Sequence, residues 1–165
     1  MTTIAEYAKW SVSERLDRMT RTPDELLDAI RGRSDAELSR RPDDKNWSAK
    51  EIVCHLRDVE REYIERFHLV LDNEDPKLYL DPSSNERWPV ERQYLRNETR
   101  DAVSAFRELR QEMRALLEPL TPAQLSRAGI HPRRGRVTID WWVAMLAAHD
   151  DDHLDQLTRA LDGRP

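Results

Sequence analysis

One stretch near the end of the chain constrains the fold more than any other. It runs from Trp141 to Leu157 without Gly or Pro and is rich in Ala, Leu and Met, so it is predicted to be helical. Thr138 is placed to cap its start and Gly163 to end it. At about 100° per residue, His149 and His153 lie about 40° apart on the helical wheel, one above the other. Trp142, Leu146, Leu157 and Ala160 share their side, while Asp151, Asp155 and Arg159 fall opposite. Two imidazoles therefore point from an apolar face toward a core. A lone inward histidine is usually a hydrogen-bonded core residue. Two of them one turn apart need two sets of partners, and such a pair can hold two corners of a metal coordination sphere.

The rest of the chain also reads as helix. Four glycines in 165 residues, few β-branched runs and 36% charged residues predict an all-helical domain with solvated outer faces. Ser11 to Met19 forms a short helix. Thr22-Pro23-Asp24-Glu25 carries a helix-start signal, which either opens a new helix or kinks a longer one. Ser34 to Ser39 adds a turn. Ser48 and Glu51 make a capping box for a second major helix, with Ile52, Val53, Leu56, Val59, Tyr63, Ile64, Phe67 and Leu71 on its apolar face. His55 sits at the edge of that face. Val59, Glu62 and Arg66 continue in one column, with Glu51 a turn earlier. Glu62 and Arg66 therefore read either as a cavity wall or as a surface ion pair.

Residues 72–89 form the longest irregular stretch, containing Pro76, Leu78, Tyr79, Leu80, Pro82, Trp88 and Pro89. It is predicted to be a crossover loop or a lid. Val90 to Leu117 reads as the third major helix, beginning properly near Asn97. Thr121-Pro122-Ala123-Gln124 starts a short turn, and His131 to Arg136 is a basic turn before the final helix. The pattern is a four-helix bundle with one long crossover loop, a single domain over residues 1–165 in which residues 1–22 are an N-terminal extension.

Several function classes are disfavoured at this level. With 27 basic and 32 acidic residues, a net charge of −5, nucleic acid is not an expected partner. No apolar run approaches membrane-spanning length, and Met1 to Trp10 is mixed and polar, so neither a membrane span nor a leader is expected. The single Cys54 fits a reducing, cytoplasmic setting. It points about 100° away from His55 and reads as a small core hydrophobe. His149-Asp150-x-x-His153 differs from the HExxH of metalloproteases, having Asp where that motif has its general-base Glu.

Trp47-Ser48, then His55-Leu56-Arg57-Asp58, then Gly135-Arg136-Val137-Thr138, then His149-Asp150-x-x-His153-Leu154-x-Gln156 together resemble the DinB/YfiT-like superfamily of four-helix-bundle, metal-dependent enzymes. The resemblance covers about Leu26 to Leu161. It implies that the family's three metal-binding histidines are His55, His149 and His153. Three imidazoles suit zinc, nickel or iron and leave a coordination position open, as in a catalytic site. Glu51, Asp58 and Gln156 are the nearby candidates, by helical spacing, for fixing the second ring nitrogens; Glu62 and Arg66 are candidates for the pocket. The resemblance implies transfer or isomerisation dependent on a low-molecular-weight thiol as the leading activity. The alternatives are hydrolysis with water as nucleophile and a non-catalytic metal-binding bundle. A small-molecule substrate is expected. Family members often pair as homodimers, and Tyr79 and Trp88 in the long loop are candidates for such a contact.

Overall fold

A computed structural model describes residues 2–79 and 83–165; Met1, and Leu80 and Pro82 of the irregular stretch, lie outside the described residues. The long helices are α2 (Val12–Ala29), α4 (Ala49–Asp72), α6 (Thr99–Leu117) and α8 (Ile139–Leu161). Short helices α1 (Ile4–Tyr7), α3 (Asp35–Ser39), α5 (Ser84–Glu91) and α7 (Pro122–Leu125) punctuate the connections, and strands β1 (Ala128–His131) and β2 (Gly135–Thr138) form a small antiparallel hairpin before α8. Each of α2 and α4 packs against both α6 and α8. The consecutive helices α2 and α4 are thus diagonal partners across the bundle. Among the described residues no helix is long and apolar enough to cross a membrane.

Local chemistry explains where the helices start. Ser11 with Glu14, Ser34 with Glu37, Ser48 with Glu51 and Thr121 with Gln124 are all reciprocal capping boxes, each satisfying two otherwise orphaned backbone donors. Thr138 caps α8 by accepting from the Trp141 N–H at 3.2 Å.

The structure departs from the sequence reading in four places. Helix α2 is continuous through Pro23, the longer-helix reading of that signal, and residues 12–22 of the N-terminal stretch form its first part. Thr22 caps nothing; its hydroxyl donates to Asp150 at 2.7 Å across the bundle, a partner that local sequence does not reveal. The predicted 90–117 helix is broken: Val90 belongs to α5, a 3₁₀ turn covers Tyr94–Arg96, and α6 begins at Thr99. The stretch from His131 to Arg136 is the tip of a hairpin. Gly135, at φ 71°, supplies its left-handed residue at no steric cost. The long connection is strapped onto this hairpin. Leu78 N–H donates to Ile130 O at 3.0 Å, and Ile130 N–H to Pro76 O at 2.8 Å.

Two apolar clusters fill the bundle. One gathers Leu16, Met19, Ile64, Phe67, Met113, Leu117, Trp142 and Leu146; the other gathers Leu26, Ile30, Ile52, Leu56, Val103, Phe106, Leu157 and Ala160. A buried polar layer lies between them, with one residue from each long helix: Thr22, Glu60, Arg110 and Asp150. On every helix it falls at the step from one cluster to the other. Arg110 is its centre, reaching Asp150 at 2.8 and 3.1 Å and Glu60 at 2.8 and 2.9 Å.

Candidate metal centre

The capping box at Ser48 fixes the start of α4, and two turns later His55 faces α8. Helix α8 presents His149 and His153 one turn apart. The three Nε2 atoms converge: His149 lies 3.1 Å from His153 and 3.4 Å from His55, and one ligand atom from each residue falls within 4.8 Å of the others. Nitrogens bound at 2.0–2.1 Å to a common tetrahedral ion sit about 3.3 Å apart, so the spacing suits a divalent cation.

The protonation states fit as well. Burial pushes His55 down to about 3, with repulsion from His153 adding to it. His149 is driven well below the usual imidazole range, first by burial and then by His153 and His55. Burial also lowers His153. All three rings are neutral at pH 7, the form that ligates a metal. The Gln156 amide oxygen meets His153 Nδ1 at 2.7 Å. That oxygen can only accept, so the proton is on Nδ1 and the Nε2 lone pair faces the other histidines. Nδ1 of His55 and of His149 are buried with no hydrogen-bond partner among the described residues.

Glu51 and Asp58 do not contact the imidazoles. Glu51 closes the α4 capping box and pairs with Arg41. Burial pushes its carboxyl up, but Arg41 and Ser48 outweigh this and hold it below the usual range. Asp58 accepts from Arg57 at 2.8 Å and Tyr94 at 3.0 Å and pairs with Arg92 at 2.8 Å. Helical spacing brought both near His55, but nearby cations and a phenol turned them away. Cys54 is fully buried, and burial raises its thiol to about 11, so it is neither ligand nor nucleophile. Asp151, placed on the outer face by periodicity, instead binds Tyr7 at 2.7 Å and Arg18 at 2.6 Å, because α1 and α2 cover that side of α8.

A cavity of about 520 Å³ opens from the three histidines. Helix α4 contributes Val59, Glu62, Tyr63 and Arg66, α8 contributes Met145, and α5 contributes Ser84 and Trp88. Glu62 and Arg66 line this wall and also form an ion pair at 3.1 Å, so both readings of that column hold. Trp88 packs on its own bundle and under Arg92, whose guanidinium carbon lies 3.8 Å from a ring centroid, whereas Tyr79 is exposed. Trp47 covers the histidines, its ring 4.8 Å from His55 and stacked at 6.2 Å on His153. The sequence reading missed the hairpin's share of the cavity: His131, Pro132 and Arg133 line its mouth. The only signal for them was a basic turn containing a histidine.

A four-helix bundle holding three convergent neutral imidazoles beside an open cavity defines a class, helical proteins with a candidate site for a divalent metal. The chain belongs to the DinB superfamily, whose family model matches residues 18–157. A relative from Oceanobacillus iheyensis is 25% identical over 152 residues, spanning 91% of this chain and 85% of its own. YfiT from Bacillus subtilis is 25% identical over 137 residues, spanning 82% and 76%. Both carry the name "Putative metal-dependent hydrolase". The solved structure of Bacillus subtilis YfiT, described as an unusual four-helix bundle topology, matches with a TM-score of 0.84 at 22% identity, over 92% of this chain and 86% of that one.

Proposed function

We propose that this protein is a metal-dependent enzyme acting on a small molecule bound in the cavity, and that its reaction is a hydrolysis. The convergence of three neutral Nε2 atoms, with one side open to the cavity, carries this reading; the names of the relatives support hydrolysis. His55, His149 and His153 would hold a divalent cation, which would supply Lewis acidity and lower the pKa of water or a thiol toward neutrality.

The chain's own groups do the rest. Gln156 fixes the His153 ring and keeps its lone pair inward. Trp47 and Trp88 shield the imidazoles from bulk water. Val59, Tyr63 and Met145 give the substrate an apolar wall. Glu62 and Arg66 lie two and three turns beyond His55 on α4, about 10 Å or more along the axis, so they bind substrate rather than ion.

Thiol-dependent transfer is the second reading. Its support is the cavity itself, which at about 520 Å³ falls in the range that takes a drug-sized ligand and has room for a small thiol beside an acceptor. The test is to supply activated esters, amides and other electrophiles to zinc-, nickel- and iron-loaded protein, with and without a small thiol. Turnover with water alone supports hydrolysis, and turnover that requires the thiol and yields a thioether or an isomer replaces it with transfer. A metal-loaded protein inert to both across a broad screen would contradict the enzymatic reading.

A further inference from the structure

The hairpin tip carries a device that neither the three histidines nor the bundle requires. His131 Nδ1 accepts backbone N–H groups from Arg133 at 3.0 Å and Arg134 at 3.1 Å. A ring nitrogen that accepts carries its lone pair, so the proton of the neutral ring is on Nε2. The ring is also stacked on Trp142, with centroids 5.8 Å apart and planes 29° apart. The turn has thus locked one tautomer and one orientation, in a side chain that lines the cavity. Burial and the surrounding Arg134, Arg66 and Arg133 charges keep its pKa below the usual range, so it stays a neutral donor at pH 7.

Positive charge surrounds it. Arg66 and Arg133 line the same cavity, and Glu62 is the only carboxylate among the described lining residues. Glu62 is already engaged by Arg66 at 3.1 Å and lies 3.8 Å from Arg92. Among the described residues no carboxylate pairs with Arg133. Arg134 lies over the Trp141 ring, 5.2 Å from its centroid, and its charge also acts on His131. The mouth is therefore locally cationic in a chain whose net charge is −5, while the walls beneath it (Val59, Tyr63, Met145 and Trp88) are largely apolar.

We propose that the cavity selects small carboxylic acids with an apolar body, the carboxylate being held at the mouth by His131 Nε2–H and the Arg133 guanidinium. A carboxylate offers two coplanar acceptor oxygens. An arginine fork with one fixed N–H beside it matches that geometry, and Arg66 adds charge from the wall. The apolar body lies along α4 toward the histidines. The assignment rests on the proposed function only for where the reacting end of the substrate points; the carboxylate site stands on the hairpin.

The test uses phenylacetate and its neutral isostere phenylacetamide, titrated into the full-length protein both chelator-treated and metal-loaded, with binding followed by calorimetry and by the His131 ring signals in NMR. Metal content is measured separately on the same samples. Phenylacetate is expected to bind at least tenfold more tightly than the amide to the chelator-treated protein and to shift the His131 signals. Arg133→Gln, at an exposed turn position, is expected to remove roughly tenfold of that preference, the scale of one charge-assisted contact. His131→Phe, which keeps the stack on Trp142, is expected to produce a smaller loss in the same direction. Equal affinity for acid and amide overturns the assignment, as does a preference untouched by Arg133→Gln. A preference seen only in metal-loaded protein and surviving Arg133→Gln means that the carboxylate binds the ion, which also overturns it. A preference that persists in a protein unable to bind metal leaves this assignment standing and removes the metal reading instead.

Discussion

Replacing Arg110 with methionine probes the layer that joins all four long helices. The guanidinium is buried and makes four short contacts, two to Asp150 and two to Glu60, with Asp150 also accepting from Thr22 at 2.7 Å. The substitution leaves two buried carboxyls without their cation. Breaking a buried ion pair from one side costs about 3–5 kcal/mol. Two features set the expected value at the lower end, about 3 kcal/mol. Asp150 keeps its bond from Thr22, and Glu60, already raised to about 7 by burial, can take up a proton and become neutral. Methionine also fills most of the volume of the arginine stem, though the guanidinium's place over the Phe106 ring, 4.8 Å from its centroid, is lost. Against a total stability of about 5–15 kcal/mol for a domain, the loss should be plain in urea unfolding followed by far-UV circular dichroism, as a lower midpoint at an unchanged slope. A loss below about 1 kcal/mol, the range of solvent-exposed pairs, would show that water reaches the layer and that the reasoning from burial is wrong.

Other expectations follow from single contacts. Glu60 has its pKa raised in the folded state, from an ordinary carboxyl value to about 7, so its protonation favours the fold. Gln mimics the protonated carboxyl, so Glu60→Gln should match wild type most closely below about pH 4.5, and wild type should lose stability relative to it as pH rises to about 7; a wild type that gains stability relative to Glu60→Gln over that range would reverse the assignment of burial as the dominant cause. Gln156→Leu removes the acceptor of the His153 Nδ1–H and should weaken metal affinity about 10–100-fold, read by competition with a coloured chelator; unchanged affinity would show that the ring is held by packing alone. A Cβ on Gly129 would lie 2.8 Å from the Leu78 side chain. Gly129→Ala should therefore cost about 1–3 kcal/mol and loosen the strap between the long connection and β1, visible as faster amide exchange at Leu78; a neutral result would mean that Leu78 moves aside freely.

The legible parts of the fold were those decided within a few residues. The capping box at Ser48, the apolar periodicity of α4 and α8, and the one-turn spacing of His149 and His153 are local, and the structure reproduces them. Pairing across the bundle was not legible. Asp151 looked outward because a wheel shows one apolar stripe, whereas α8 has neighbours on several sides and a tyrosine and an arginine waiting on one of them. Asp150, adjacent to His149 in every reading of the motif, gave no hint of Arg110, which is 40 residues away. Strands β1 and β2 are four residues each, too short for alternation to register. Their turn, read only as basic, turned out to supply His131 and Arg133 to the cavity. Pro89 argued for loop, yet it lies within α5. The three histidines were within reach of the sequence because two share a helix and the third sits in a motif that resembles the family's. Glu51 and Asp58 show the limit of helical spacing, which brings a residue near a site without saying which partner its side chain will choose.

The central claim is that His55, His149 and His153 hold a divalent metal in the folded chain. The most direct measurement is elemental analysis of the purified protein, paired with melting temperature before and after chelation, for wild type and for the variant carrying His55→Ala, His149→Ala and His153→Ala. A metal bound only by the folded state adds RT ln(1+[M]/Kd) to stability. Wild type should therefore contain about one divalent ion per chain and melt several degrees lower once it is removed. The triple variant should contain none and show no response to chelator. Equal metal content in the two proteins, or a wild type that takes up no divalent metal and melts at the same temperature with and without chelator, would contradict the claim.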